Sequence, residues 1–105
     1  MRKIIVAAPA RLDLNQHFSY LSETDFDTAL QFFDAARQTF ADLARMPEMG
    51  VRYPTSEPRL QDLRRWYVKE FKRYLIFYRV RDDAIEIIRV LYGTQDIQNI
   101  LGRES

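Results

Sequence analysis

The chain of 105 residues carries sixteen Lys/Arg, fifteen Asp/Glu, one histidine and no cysteine, for a net charge of +1. With no cysteine, disulfides, thiolate metal sites and a cysteine nucleophile are excluded. A hydrophobic share of 47% with 30% charged residues describes one globular domain over 1–105, long enough to bury a core.

The small net charge hides an asymmetry. Residues 59–81 hold eight Lys/Arg against Asp62 and Glu70, a local charge of +6, whereas residues 13–48 hold seven acids against Arg37 and Arg45. An acidic half is joined to a basic half, and the basic half reads either as solvated outer faces or as a surface for nucleic acid or an acidic partner. No apolar run approaches membrane-spanning length, and residues 1–8 lack the architecture of a signal peptide, which predicts a cytoplasmic protein with no membrane partner.

In chain order, residues 3–8 form a short strand of branched side chains ending at Pro9, a residue suited to a first helical turn. Ala10, Leu14, Phe18 and Leu21 then fall at helical spacing and predict a helix over 9–21, with His17 beside its apolar stripe. As the only histidine, His17 lacks the partners a catalytic or metal role would need. Residues 22–25 read as a turn, from which Thr24 or Asp25 can cap a second helix. Its apolar positions Phe26, Ala29, Leu30, Phe33, Ala36, Phe40, Leu43 and Ala44 keep step for about five turns. Pro47 ends that helix, and Gly50 permits a positive-φ turn. Residues 53–58 are a surface loop.

Residues 63–91 form the densest β-rich stretch and predict an antiparallel meander with strands over 65–71, 74–80 and 85–92. A hairpin turn at Asp82-Asp83 sets the register. Val80 then faces Ile85, Tyr78 faces Ile87 and Ile76 faces Arg89 on one face; on the other, Arg79 meets Glu86, Phe77 meets Ile88 and Leu75 meets Val90. Both faces are apolar, and the helical hairpin can cover only one. Gly93-Thr94-Gln95-Asp96 breaks the last strand, and residues 96–101 make one or two helical turns with Ile97, Ile100 and Leu101 apolar. The fold class is α+β, in the order β-α-α-β-β-β.

Catalytic constellations are thin: no phosphate-cradling glycine loop, metal-ligand spacing or serine–histidine–acid set can be assembled, so no cofactor, metal or catalytic residue is expected. Charged pairs such as Arg79 with Glu86, or Arg89 with an acid of the first helix, read as structural.

Five motifs recur in order: Ala10-x-x-Asp13-Leu14, Leu43-x-x-x-Pro47-x-Met49-Gly50, Trp66-x-Val68, Tyr74-Leu-Ile-Phe-Tyr-Arg79 and Ile87-Ile-Arg-Val-Leu91. Together, over nearly the whole chain, they make it resemble a ParE-type toxin of the ParE/RelE superfamily. The resemblance implies an antiparallel sheet with a helical hairpin on one face. It also implies a bacterial type II toxin–antitoxin (plasmid stabilisation) module, in which a ParD-like antitoxin wraps the toxin as a hetero-oligomer.

RelE-like toxins cleave mRNA in the ribosome, using an arginine after the tyrosine that opens the third strand, a basic residue beyond the last strand and a tyrosine in the tail. Those places hold Leu75, Thr94-Gln95 and Ile100-Leu101, which cannot activate a ribose hydroxyl or stabilise a phosphorane. The ParE branch, which poisons DNA gyrase by binding, is the better resemblance, although Tyr92 stands where histidine is common. RelE-like ribonuclease is the alternative, and a non-toxic interaction module of the same fold is a third. Direct contact with nucleic acid is left open.

Three expectations about sites follow. The sheet face opposite the hairpin, with Leu75, Phe77, Ile88, Val90 and Tyr92 bordered by Arg79, is open and receives the antitoxin. Ile97, Ile100 and Leu101 of the tail contact the target or close the core. Arg89, on the helix-covered face beside Ile76 and Ile87, pairs with Asp13.

Overall fold

A computed structural model describes residues 1–102. Branched residues open the chain as β1 (Lys3–Val6), and Pro9 starts α1 (Ala8–Thr24), since its missing N–H falls where a helix has no partner for one. The expected turn over 22–25 contracts to Asp25 alone. Its extended backbone ends α1 through its N–H on Leu21 O, and its carboxylate caps α2 (Phe26–Arg45) by accepting from Asp27 N at 3.0 Å and Thr28 Oγ1 at 2.9 Å. One residue that caps both ways folds the two helices back on each other.

The buried face of α2 runs through Ala29, Phe32, Ala36, Phe40 and Leu43, while Phe26 and Leu30, placed on the core stripe from the sequence, are exposed. The stripe is rotated because α2 packs on α1 and the sheet together and must present a wider arc than one partner needs. Thr39 stays in the helix interior because its hydroxyl donates to Ala35 O at 2.7 Å and accepts from Lys69 N at 3.0 Å.

After α2 come β2 (Val51–Arg52), a 3-10 turn (Pro58–Leu60), β3 (Arg64–Val68), β4 (Phe71–Val80), β5 (Ala84–Tyr92) and α3 (Ile97–Gly102). Phe71 opens β4 and does not close β3, because Lys69 and Glu70 form the turn between them and Glu70 takes a positive φ of 70°. The sheet order is β1-β5-β4-β3-β2. The meander is antiparallel, but β1 joins β5 in parallel, so the whole sheet is mixed.

The Asp82-Asp83 turn gives the anticipated pairs Val80↔Ile85, Arg79↔Glu86 and Tyr78↔Ile87. The register then slips by one: Phe77 faces Arg89, Ile76 faces Val90 and Leu75 faces Leu91. Such a β-bulge exchanges the two faces for the residues of β5 beyond it, while β4 alternates unbroken with Phe77 and Leu75 still on the far side. Val90 and Tyr92, expected on the face away from the helices, therefore lie on the helix side, and Leu91 takes the far side.

Two cores result. The larger joins α1 and α2 to Tyr74, Ile76, Tyr78, Ile85, Ile87 and Val90. The smaller lies across the sheet, where Leu60, Leu63 and Leu101 close over Phe77, Ile88 and Leu91. The far face is thus covered, by α3 and the loop before β3, contrary to the open face expected from the sequence.

Candidate functional site

Asp13 and His17 lie one helical turn apart on α1 and face β5 just past the bulge. The parallel pairing of β1 stops at Ile87, leaving the next peptide groups of β5 without a strand on that side. Asp13, 3% exposed, fills the gap: its Oδ2 accepts from Val90 N at 2.9 Å and from Arg89 Nε at 2.7 Å, and its Oδ1 accepts from Arg89 Nη2 at 2.8 Å. His17 Nε2 lies 2.7 Å from Val90 O, a contact that requires Nε2 to carry the proton because a carbonyl only accepts. The helix thus completes both hydrogen bonds of one strand residue. Arg89 lies opposite Phe77 and not Ile76, and the structure brings it to Asp13. Had the ladder run unbroken, Val90 would face away from α1; the bulge turns its neighbourhood toward Asp13.

A second anchor explains the Pro47 and Gly50 positions. The Tyr78 hydroxyl donates to Pro47 O at 2.7 Å and accepts from Gly50 N at 2.9 Å, while Arg64 Nη1 donates to Gly50 O at 2.7 Å. Gly50 has no positive φ, so its reason is close approach, not the turn conformation expected from the sequence. A Cβ there would lie 2.7 Å from Cε1 and 2.9 Å from Cζ of Tyr78, and closer still to its oxygen. Burial raises the Tyr78 phenol above its ordinary pKa, against the opposing pull of the Gly50 N–H and the Arg64 charge. Burial first, then the neighbouring Tyr92 and Tyr20, raises Tyr74 likewise.

The side chains expected to receive an antitoxin are largely occupied. Phe77 is 0% exposed, Ile88 and Val90 are buried, and Leu75 and Tyr92 are half-buried against the two cores. Arg79 stands in register with Glu86 but donates through Nε to Gln61 O at 3.2 Å, while Glu86 pairs with Arg81. In the tail, Leu101 is 2% exposed under the loop, with Ile97 and Ile100 packed beside it. Among the described residues, no group of three His, Asp or Glu could hold a metal.

An open apolar surface does exist, elsewhere. Between the edge of β1 and the helices runs a groove of about 760 Å³ lined by Ile4, Val6, Leu14, Phe33 and Phe40, with Arg11, Asp34 and Arg37 at its sides. Ile4 and Ile5 on that edge are 36% and 49% exposed. The sequence signalled it only weakly, because β1 read as an ordinary short strand of branched residues.

The model of the ParE toxin of type II toxin-antitoxin system, parDE, matches residues 4–97. The chain belongs to this ParE family. Among solved structures, a chain of the chromosomal ParDE toxin–antitoxin system from P. aeruginosa superposes with a TM-score of 0.70 at 17% identity, covering 88% of this chain and 96% of that one. No curated protein matches. For this ParE-family chain, the two anchors give the motifs a physical content. Asp13 and Arg89 fix α1 to β5, Pro47 and Gly50 seat Tyr78, and the alternating Tyr74, Ile76 and Tyr78 face the helices.

Proposed function

We propose that this ParE-family toxin acts by binding and poisoning DNA gyrase in the cytoplasm, without catalysis of its own, and that a ParD-like antitoxin neutralises it. The observation that carries the reading is the state of the three places where a ribosome-dependent nuclease of the superfamily would hold its reactive groups. Leu75 packs on the second core, Gln95 turns its carbonyl to Tyr92 N at 2.6 Å, and Leu101 is buried. None can take a proton from a ribose hydroxyl or stabilise a phosphorane.

The antitoxin is best received by the β1 groove, since the far face is occupied by α3. The β1 edge offers unpaired strand positions, Ile4 and Phe33 offer apolar seats, and Arg11 and Arg37 suit an acidic, amphipathic segment. Half-buried Leu75 packs on the second core and half-buried Tyr92 on the first, so with Arg79 bonded to Gln61 they leave little free surface for an antitoxin segment. Tightly controlled expression in bacteria tests the reading: growth arrest with a DNA-damage response supports it, and translation arrest without DNA damage overturns it. Phe33→Glu should impair rescue by a co-expressed antitoxin while the arrest persists.

A further inference from the structure

The outer surface around the β3–β4 hairpin is built from rings and cations in alternation. Arg65 and Tyr67 stand in register with Phe77 and Leu75 on the sheet side away from the helices. The Arg65 guanidinium lies 5.9 Å from the centre of the Tyr53 ring, and Lys72 Nζ lies 5.7 Å from the centre of the Tyr67 ring. Trp66 stacks on Tyr67 at 4.7 Å with 21° between the planes. Among the described residues, Arg65, Lys69, Lys72 and Arg73 have no carboxylate partner, although Glu70 sits in the same hairpin.

A cation on an aromatic face keeps outward N–H donors free, and a partly exposed ring keeps an edge or face for another flat group. Alternating flat apolar groups and negative charges are what a single nucleic-acid strand presents, as bases and phosphates. A duplex hides its base faces, and β3 and β4 are inner strands of a five-stranded sheet, not a free two-stranded ribbon that could enter a groove. An acidic protein would match the charge, but its apolar contacts would need the far-face core that α3 and the loop already cover.

We propose that Tyr53, Arg65, Tyr67 and Lys72 form a binding strip for single-stranded DNA, in which Arg65 and Lys72 swing off the rings they now cover to meet phosphates and bases take their place on the tyrosine faces. The inference rests on the gyrase reading, in which the toxin acts beside DNA that the enzyme has cleaved and whose broken ends include short single-stranded stretches.

The test is fluorescence anisotropy of a labelled oligothymidylate of about twelve nucleotides, a length within the usual footprint of such surfaces. The whole toxin should bind it with an affinity that falls with salt. Tyr67→Ala should weaken binding on the order of tenfold with the salt slope retained, and Tyr67→Phe should restore it. Lys72→Ala should lower the slope by about 0.7, the value for one lost phosphate contact on a single strand. Arg45→Ala, the same charge loss at the end of α2, should leave binding unchanged, and circular dichroism confirms each variant folded. Failure to bind at low salt, equal loss in Arg45→Ala and Lys72→Ala, or preference for duplex DNA, oligouridylate or an acidic peptide would overturn the strip. Gyrase inhibition by a protein that ignores the oligonucleotide removes the strip and leaves the gyrase reading. Oligonucleotide binding by a protein inert on gyrase does the reverse.

Discussion

Replacing Asp13 by alanine removes the carboxylate that joins α1 to β5. In the folded state this strips Arg89 of two charge-assisted hydrogen bonds, at 2.7 and 2.8 Å, and Val90 N of its acceptor at 2.9 Å. Breaking a buried ion pair from one side costs about 3–5 kcal/mol, and an unsatisfied buried N–H adds about 1–3 kcal/mol. The Arg89 side chain is 18% exposed and makes further contacts, so water and neighbours recover part of that loss. The net expectation is about 3 kcal/mol. Urea unfolding followed by circular dichroism reads it as a midpoint lowered by roughly 2 M, taking a slope of about 1.5 kcal/mol/M for a domain of this size. Asp13→Asn keeps an acceptor for Val90 N and should cost about half as much. Asp13→Ala combined with Arg89→Met should cost less than the sum of its parts by about 1–2 kcal/mol, because the second change removes the charge the first one abandons. A loss under about 0.5 kcal/mol with strictly additive behaviour would refute the view that this pair anchors the helix.

Gly50→Ala should destabilise by about 1–3 kcal/mol, because its methyl group meets the Tyr78 ring and hydroxyl within a packed site; an unchanged melting temperature would contradict that close approach. With Tyr74 and Tyr78 both raised by burial, the unfolded chain ionises first as pH climbs. Their contribution is therefore full below the unfolded value of about 10 and is lost as pH rises through the higher folded values. Urea midpoints measured across alkaline pH should fall in that window, and Tyr74→Phe should blunt the fall. Leu101→Ala should cost about 2 kcal/mol, at the low end for a buried leucine because a short terminal helix can adjust, and should increase binding of a hydrophobic dye to the far face.

The elements were legible in the sequence wherever periodicity spoke for itself. The strand ending at Pro9, the long second helix, the Asp82-Asp83 turn and the short apolar tail all lie within a few residues of their structural bounds. What stayed hidden depends on a third body. The bulge after Ile87 has no local signal, since Ile87-Ile88 suits either register; it is favoured because α1 supplies Asp13 and His17 to the Val90 peptide. Gly50 read as a turn former because the Tyr78 ring that crowds it lies twenty-eight residues away. The far face read as open for the same reason, as the register slip moved Val90 and Tyr92 to the helix side and the tail covered Phe77 and Ile88.

Purified toxin assayed side by side on DNA gyrase and on ribosomes separates gyrase poisoning from mRNA cleavage in one experiment. DNA gyrase with supercoiling substrate should show inhibited supercoiling or trapped cleaved DNA, reversed by a ParD-like antitoxin. Programmed ribosomes given the same protein should keep their mRNA intact. Codon-positioned cleavage of that mRNA, with gyrase untouched, would contradict the account and place this chain among the ribonucleases of its superfamily.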